Sequence, residues 1–265
     1  MTDASSLPEQ LRWWRRRRSL SQLELAGRAG ISQRHLSFIE LGRSSPSRDV
    51  VLRIAEALAL PMRQQNAILL AAGFAPIWRE TRLGEPELQQ IERALGHMLA
   101  QQEPYPAVVV DRRWNLLRSN QGAIRMVEFL VGPLEPGVAI NLADALVAPN
   151  VLRPCLVNWK EIIRHFIASV EADAWEDGTS ATAELLERLM SYDGVTAALR
   201  EAPSKGEGGP VLPMIFLKND VMLQLFTTIA TLGTPQNVTL DELRIESFFP
   251  IDDDTEATFQ KWASA

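Results

Sequence analysis

The stretch Gln22 to Leu41, QLELAGRAGISQRHLSFIEL, constrains the chain more than any other, because its apolar residues carry the spacing of two short helices joined by a tight turn. Leu25, Ala29, Ile31, Leu36 and Ile39 fall where such a pair buries side chains against each other. Ala26 is small at the point of closest approach, where a larger side chain would force the helices apart. Gly30 stands at the turn, where the backbone can require the positive φ that a Cβ opposes. Ser21 and Ser32 each precede a helical run, the place of an N-cap. Size, turn and caps agree on a helix-turn-helix.

Gln33, Arg34, His35, Ser37 and Phe38 remain outward on the second helix, at the N-terminal end that such motifs insert into the major groove. Gln suits the adenine edge, Arg the guanine edge, and Phe38 can meet a thymine methyl. The candidate DNA contacts are these five with Ser32 at the cap, Gln22 beside a phosphate and Arg43 in the following loop. Residues 7 to 18, LPEQLRWWRRRR, read as a preceding helix with Leu11 and Trp14 inward, and its arginine run is expected on phosphates. Two more helices, Arg48 to Leu58 and Pro61 to Ala72 before Gly73, complete a five-helix all-α domain over residues 1–74. The bland alternative is a helical interaction module whose polar face is only solvated.

Charge separates the two parts of the chain. Residues 1–82 hold 13 Arg and no Lys against seven acidic residues, whereas 83–265 hold 14 basic against 26 acidic residues. A basic head on an acidic body suits phosphate binding confined to the head. One cysteine, Cys155, excludes an internal disulfide and reads as a small core residue in a reducing compartment. No signal-peptide pattern and no apolar run of about 20 residues occurs, so a soluble cytoplasmic protein with no membrane partner is expected.

Residues 75–86 read as a linker and 87–265 as a second domain, opened by a helix from Glu87 to Gln102. Ala107 to Val110 is a β-branched strand, Asp111 to Arg113 a turn, Trp114 to Leu117 a second strand, and Asn120 caps a helix through Phe129. Helices are expected between Leu142 and Leu199, with one apolar stripe at Trp159, Ile162, Ile163, Phe166 and Val170 and another at Leu185, Leu186, Leu189 and Met190. Lys205 to Pro210, KGEGGP, reads as a flexible loop. Strands follow at Val211 to Lys218, Met222 to Thr231 and Thr239 to Phe248, then a helix from Thr255 to Trp262. The fold class is therefore α+β, with a five-stranded antiparallel sheet flanked by helices behind the all-α head. A pocket against that sheet would be lined by Val109, Trp114, Leu116, Trp159, Ile163, Phe166, Phe216, Leu225 and Phe226; an ordinary filled core explains the same residues.

Catalytic signatures are missing. No CxxC, HExxH, P-loop or Rossmann glycine pattern occurs, and no nucleophile has a paired base, so neither an enzyme nor a cofactor or metal is expected. Asp252 to Asp254 reads as a solvated turn opening the last helix. A buried carboxylate with a strongly shifted pKa in a pocket would reopen the enzyme reading.

The run Ser32 to Glu40, SQRHLSFIE, with Arg43 and Pro46, resembles the Xre-type helix-turn-helix regulators, in particular the MmyB-like group. Phe38 departs from the polar residue common there in simpler repressors. PYPAVVVD at Pro104 to Asp111, Trp114-Asn115, Asn120, Phe226 to Thr228, Gly233 to Pro235, Val238 to Leu240 and ESFFP at Glu246 to Pro250 resemble that group's MltR-type ligand-binding domain. The resemblance implies a PAS-like second domain that takes a small, largely apolar, fatty-acid-like ligand. Function is then expected to be sequence-specific DNA binding by a homodimer on a palindromic operator, gated by that ligand. The alternatives are an antitoxin-like domain for a protein partner, or an enzyme.

Overall fold

A computed structural model describes residues 6–135, 137–201 and 210–264. Two units divide it. The first comprises the chain up to Thr81 with Glu176–Ser180 and Thr234–Asp241; the second comprises Arg82–Trp175, Ala181–Gly233 and Glu242–Ala265.

Serines start most helices of the first unit. Helix α1 (Leu7–Arg17) opens with a capping box between Ser6 and Glu9, and α2 (Gln22–Arg28) repeats it with Ser21 and Glu24. In α3 (Gln33–Glu40) the Ser32 hydroxyl accepts the His35 amide at 3.1 Å, and Ser47 caps α4 (Arg48–Ala57) in the same way. Helix α5 (Met62–Ala71) follows Pro61. Gly30, at φ +63°, turns the chain between α2 and α3. Leu25, Ala26, Leu36 and Ile39 are buried as their spacing predicts, joined by Leu11, Trp14, Ile54 and Leu69.

Residues 75–86, expected as a linker, divide at Thr81. The Asn66 side chain accepts the Ile77 and Trp78 amides, so this stretch of backbone is held on the helical unit. Thr239 to Asp241, expected to open a strand, belong instead to helix α12 (Val238–Asp241) in the first unit. The Asn237 carboxamide oxygen accepts the Thr239 amide and its nitrogen donates to Thr81, which starts a helical turn despite two β-branched residues.

The second unit is built on a five-stranded antiparallel sheet in the order β2 (Leu116–Ser119), β1 (Ala107–Val110), β5 (Arg244–Pro250), β4 (Val221–Ala230), β3 (Met214–Lys218). Helices α6 (Gln89–Gln101), α7 (Gln121–Val131), α8 (Leu142–Val147), α9 (Trp159–Asp177), α10 (Ser180–Ser191), α11 (Val195–Arg200) and α13 (Asp253–Ser264) complete it, except that the end of α9 from Glu176 and the first residue of α10, Ser180, belong to the first unit. Val108 and Val110 join the main core with α7, α9 and α13, and Val109 points to the other face, where α6 packs on β1. Cys155 is buried in that core, as expected, with its thiol on the Leu130 carbonyl. The KGEGGP segment falls outside the described residues, apart from Pro210.

The second strand starts two residues later than its sequence suggests. Trp114 sits at φ +65°, a conformation no strand tolerates, because Asp111 closes a tight turn by accepting the Arg113 and Asn115 amides. Asn120 caps α7 as expected and also binds Ala107 and Tyr105. Behind it Gly122 has no room for a side chain: a Cβ there would lie 2.8 Å from the Tyr105 carbonyl oxygen. Gly122→Ala is expected to lower stability by ~1–3 kcal/mol, read as a drop in urea midpoint at constant slope.

Candidate functional site

On the first unit α3 buries Leu36 and Ile39 and leaves Gln33 and Arg34 exposed, with His35, Ser37 and Phe38 half-buried beside them. Arg34 lies over the Phe38 ring at 5.3 Å, so the aromatic side chain supports the arginine that leads this face. Arg43 is exposed in the loop beyond Gly42. Ser32 spends its hydroxyl on the helix cap.

Gln22 and most of the arginine run have partners within the first unit. Glu40, at the end of α3, is 1% exposed. Its carboxylate accepts Arg15 twice, at 2.7 and 3.0 Å, and Gln22 at 2.8 Å, and Arg12 donates to its main-chain oxygen. Arg15 is held above its ordinary pKa by the hydrogen bond to Glu40. Arg18 donates to the Leu58 and Ala59 carbonyls, and Arg17 lies 4.5 Å from the Trp13 ring. Within the run from Arg15 to Arg18, Arg16 is exposed and the other three are half-buried. A buried carboxylate needs its cations inside the fold. Arg15 answers that demand at the carboxylate, and Arg12 binds the Glu40 main-chain carbonyl.

On the second unit a cavity of ≈ 400 Å³ lies between the sheet and the helices. Helix α9 presents Ile162, His165, Phe166 and Ser169 to it, one face at helical spacing. Met126 of α7, Leu146 of α8, Trp114 from its strained turn, and Val108, Phe216, Thr227, Ile229 and Phe248 from the sheet add to the wall. Of the nine residues expected to line a pocket, Trp114, Phe166, Phe216 and Phe226 do so. Val109 lies on the wrong face of β1, and Leu116 is half-buried on the edge strand β2. Ile163 and Leu225 are fully buried in packing. Trp159 donates its indole N–H to the Leu146 carbonyl under the Arg153 guanidinium.

Glu246 was not foreseen as a pocket residue. It lies on β5, the middle strand, paired to Val108 on one side and Ile229 on the other, and is 9% exposed at the cavity wall. Burial pushes its carboxyl up to about 7, against the opposing hydrogen bond with Thr227 and the charge of Arg244. This is the kind of group that marks a functional site. Arg244 itself is ion-paired to Asp173 of α9 and lies 5.9 Å from the Trp114 ring. Among the described residues His165 and Ser169 line the same cavity, with no hydrogen bond joining them to each other or to Glu246, so no nucleophile and base are assembled.

Residues 11–65 match a helix-turn-helix family, and residues 91–261 match the MmyB-like transcription regulator ligand binding domain. No curated protein matches the chain. A solved structure described as an RNA-binding light-oxygen-voltage receptor is similar over 98% of this chain at 10% identity and a TM-score of 0.31, and the chain spans 65% of that structure's length. A likeness of that size carries no argument. No described helix is long and apolar enough to cross a membrane. The second match covers more than half of the residues and contains the whole wall of the cavity, so the chain belongs to the MmyB-like transcription regulators, with a helix-turn-helix ahead of the family's ligand-binding domain.

Proposed function

We propose that this protein is a regulator whose α3 reads operator DNA and whose cavity holds a small, largely apolar ligand that shifts DNA affinity. The carrying observation is the apolar-walled cavity within the residues that match a ligand-binding domain, in a chain that also holds a helix-turn-helix whose recognition helix keeps Gln33 and Arg34 exposed. The protein acts as a homodimer on a palindromic site, with recognition helices about 34 Å apart, one turn of DNA. Gln33, Arg34, His35, Ser37 and Phe38 face bases, and Arg43 faces phosphates. A fatty-acid-like tail suits the walls. Ligand gates DNA binding only to the extent that it prefers one arrangement of the protein.

Selection of a binding site from random duplexes, followed by anisotropy titration, tests the first half. Arg34→Ala is expected to weaken binding to the selected site by ~1–3 kcal/mol and to leave random duplex nearly unaffected. Equal losses on both would remove Arg34 from base readout. Native mass spectrometry of the purified protein tests the second half, with a stoichiometric apolar molecule as the expected result.

A further inference from the structure

We propose that the Trp114 indole N–H holds the ligand by its polar end, and that this end is a hydrogen-bond acceptor, an oxygen of the carbonyl or carboxylate kind. This rests on the reading of the cavity as the ligand site. Trp114 lines that cavity, is 5% exposed, and its indole nitrogen has no hydrogen-bond partner among the described residues. Trp159 offers the contrast, since its indole N–H is already taken by the Leu146 carbonyl. An indole N–H only donates, and a buried donor without an acceptor carries the cost of its lost water. A ligand oxygen placed there removes that cost. A head that only donates does not.

The backbone presents this indole at a conformational cost. Trp114 sits at φ +65°, which bulky residues avoid and which persists only where the surroundings impose it. Its amide donates to the Asp111 carbonyl at 3.0 Å, and its own carbonyl accepts the Leu142 amide at 2.8 Å. The ring meets Phe166 of α9 edge-on at 4.8 Å, and the Arg244 guanidinium lies 5.9 Å from its centre. Arg244 is ion-paired to Asp173, which answers its charge inside the fold. His165 and Ser169 stand beside Phe166 on α9, within one turn of it. Both are exposed although they line the cavity, as is Ile229 of β4. The wall therefore opens beside the indole. An acceptor head rests there within reach of water, and its tail runs inward against Met126, Leu146 and Phe216.

Methyl octanoate, octanoate and octylamine put a neutral acceptor, an anionic acceptor and an ammonium head with no acceptor on one tail. Calorimetric titration of the full chain with each is compared for the parent and for Trp114→Phe, which keeps a ring and removes the donor. The ester and the acid are expected to lose about three- to tenfold in affinity in the variant, the size of one hydrogen bond, and octylamine to be unchanged. Equal affinity of the ester for both proteins overturns the proposal. So does an equal loss for all three probes, which would make Trp114 a packing residue. The indole proton resonance of Trp114, identified by its proximity to the Phe166 ring, gives a second reading in the unaltered protein and carries the test even if the variant folds poorly. It is expected to move downfield on saturation with the ester; a resonance that stays in place overturns the proposal while the cavity remains a ligand site. Failure of all three probes to bind the parent sinks the ligand-site reading, and this proposal with it.

Discussion

Replacing Glu40 with alanine is expected to destabilise the helix-turn-helix unit by ~3–5 kcal/mol, because the change takes the carboxylate out of a buried ionic cluster. Arg15 would be left 14% exposed with its partner gone, and Gln22 would lose its acceptor. Three helices meet at this carboxylate: α1 through Arg15, α2 through Gln22 and α3, which carries Glu40 itself. Glu40→Gln keeps the volume and one acceptor oxygen and should cost less. Amide hydrogen exchange across α1–α3 reads this unit apart from the rest of the chain. Protection equal to that of the parent in the alanine variant would show that apolar packing alone holds the three helices. DNA affinity should fall with the fold and not ahead of it, since Glu40 is 1% exposed.

The same cluster explains what the sequence hid in the head. Ser21, Ser32, Gly30 and the apolar positions announce the helix-turn-helix, because caps, turns and periodicity act within a few residues of themselves. A run of arginines carries no such address. Whether Arg15 points at a phosphate or at Glu40 depends on a residue 25 positions away. The arginine run suggests a phosphate-binding face, and its pairing inside the fold, Arg15 with the Glu40 carboxylate and Arg12 with the Glu40 main-chain oxygen, cannot be read from the run itself.

In the second unit the elements were legible and their faces less so. A strand's side chains alternate, so an error of one residue moves a prediction to the opposite face. Val109 for Val108 is that error, and Ile163 for Ile162 is its helical counterpart. The aromatic and leucine residues of Trp114 to Leu117 suggest a strand, yet Asp111 closes the turn through Trp114. Thr239 to Asp241 mislead in the same way until Asn237 is seen binding both Thr81 and the Thr239 amide. Glu246 had a usable signal: it shares a strand face with Phe248, and an inward Phe248 brings an inward Glu246.

That inward acid gives the second large effect. Its folded-state carboxyl titrates near 7 against an ordinary 4.5, a gap worth ~3 kcal/mol. Between those values the folded chain holds a proton that the unfolded chain has released, so Glu246 makes stability fall as pH rises and stops doing so once both states are ionised. Glu246→Gln removes this slope. The variant is expected to match the parent near pH 4.5 and to exceed it by ~3 kcal/mol above pH 7, as the difference between urea-unfolding free energies followed across that window. Parallel curves for the two proteins would mean that the acid is solvated and that the cavity is wetter than its walls suggest. A gain of the expected size would mean that the parent carries a destabilising group on the wall of its binding cavity, the usual trade where function fixes a residue. A ligand that donates a hydrogen bond there removes the same penalty, so it should stabilise the parent above pH 7 by more than it stabilises the glutamine variant.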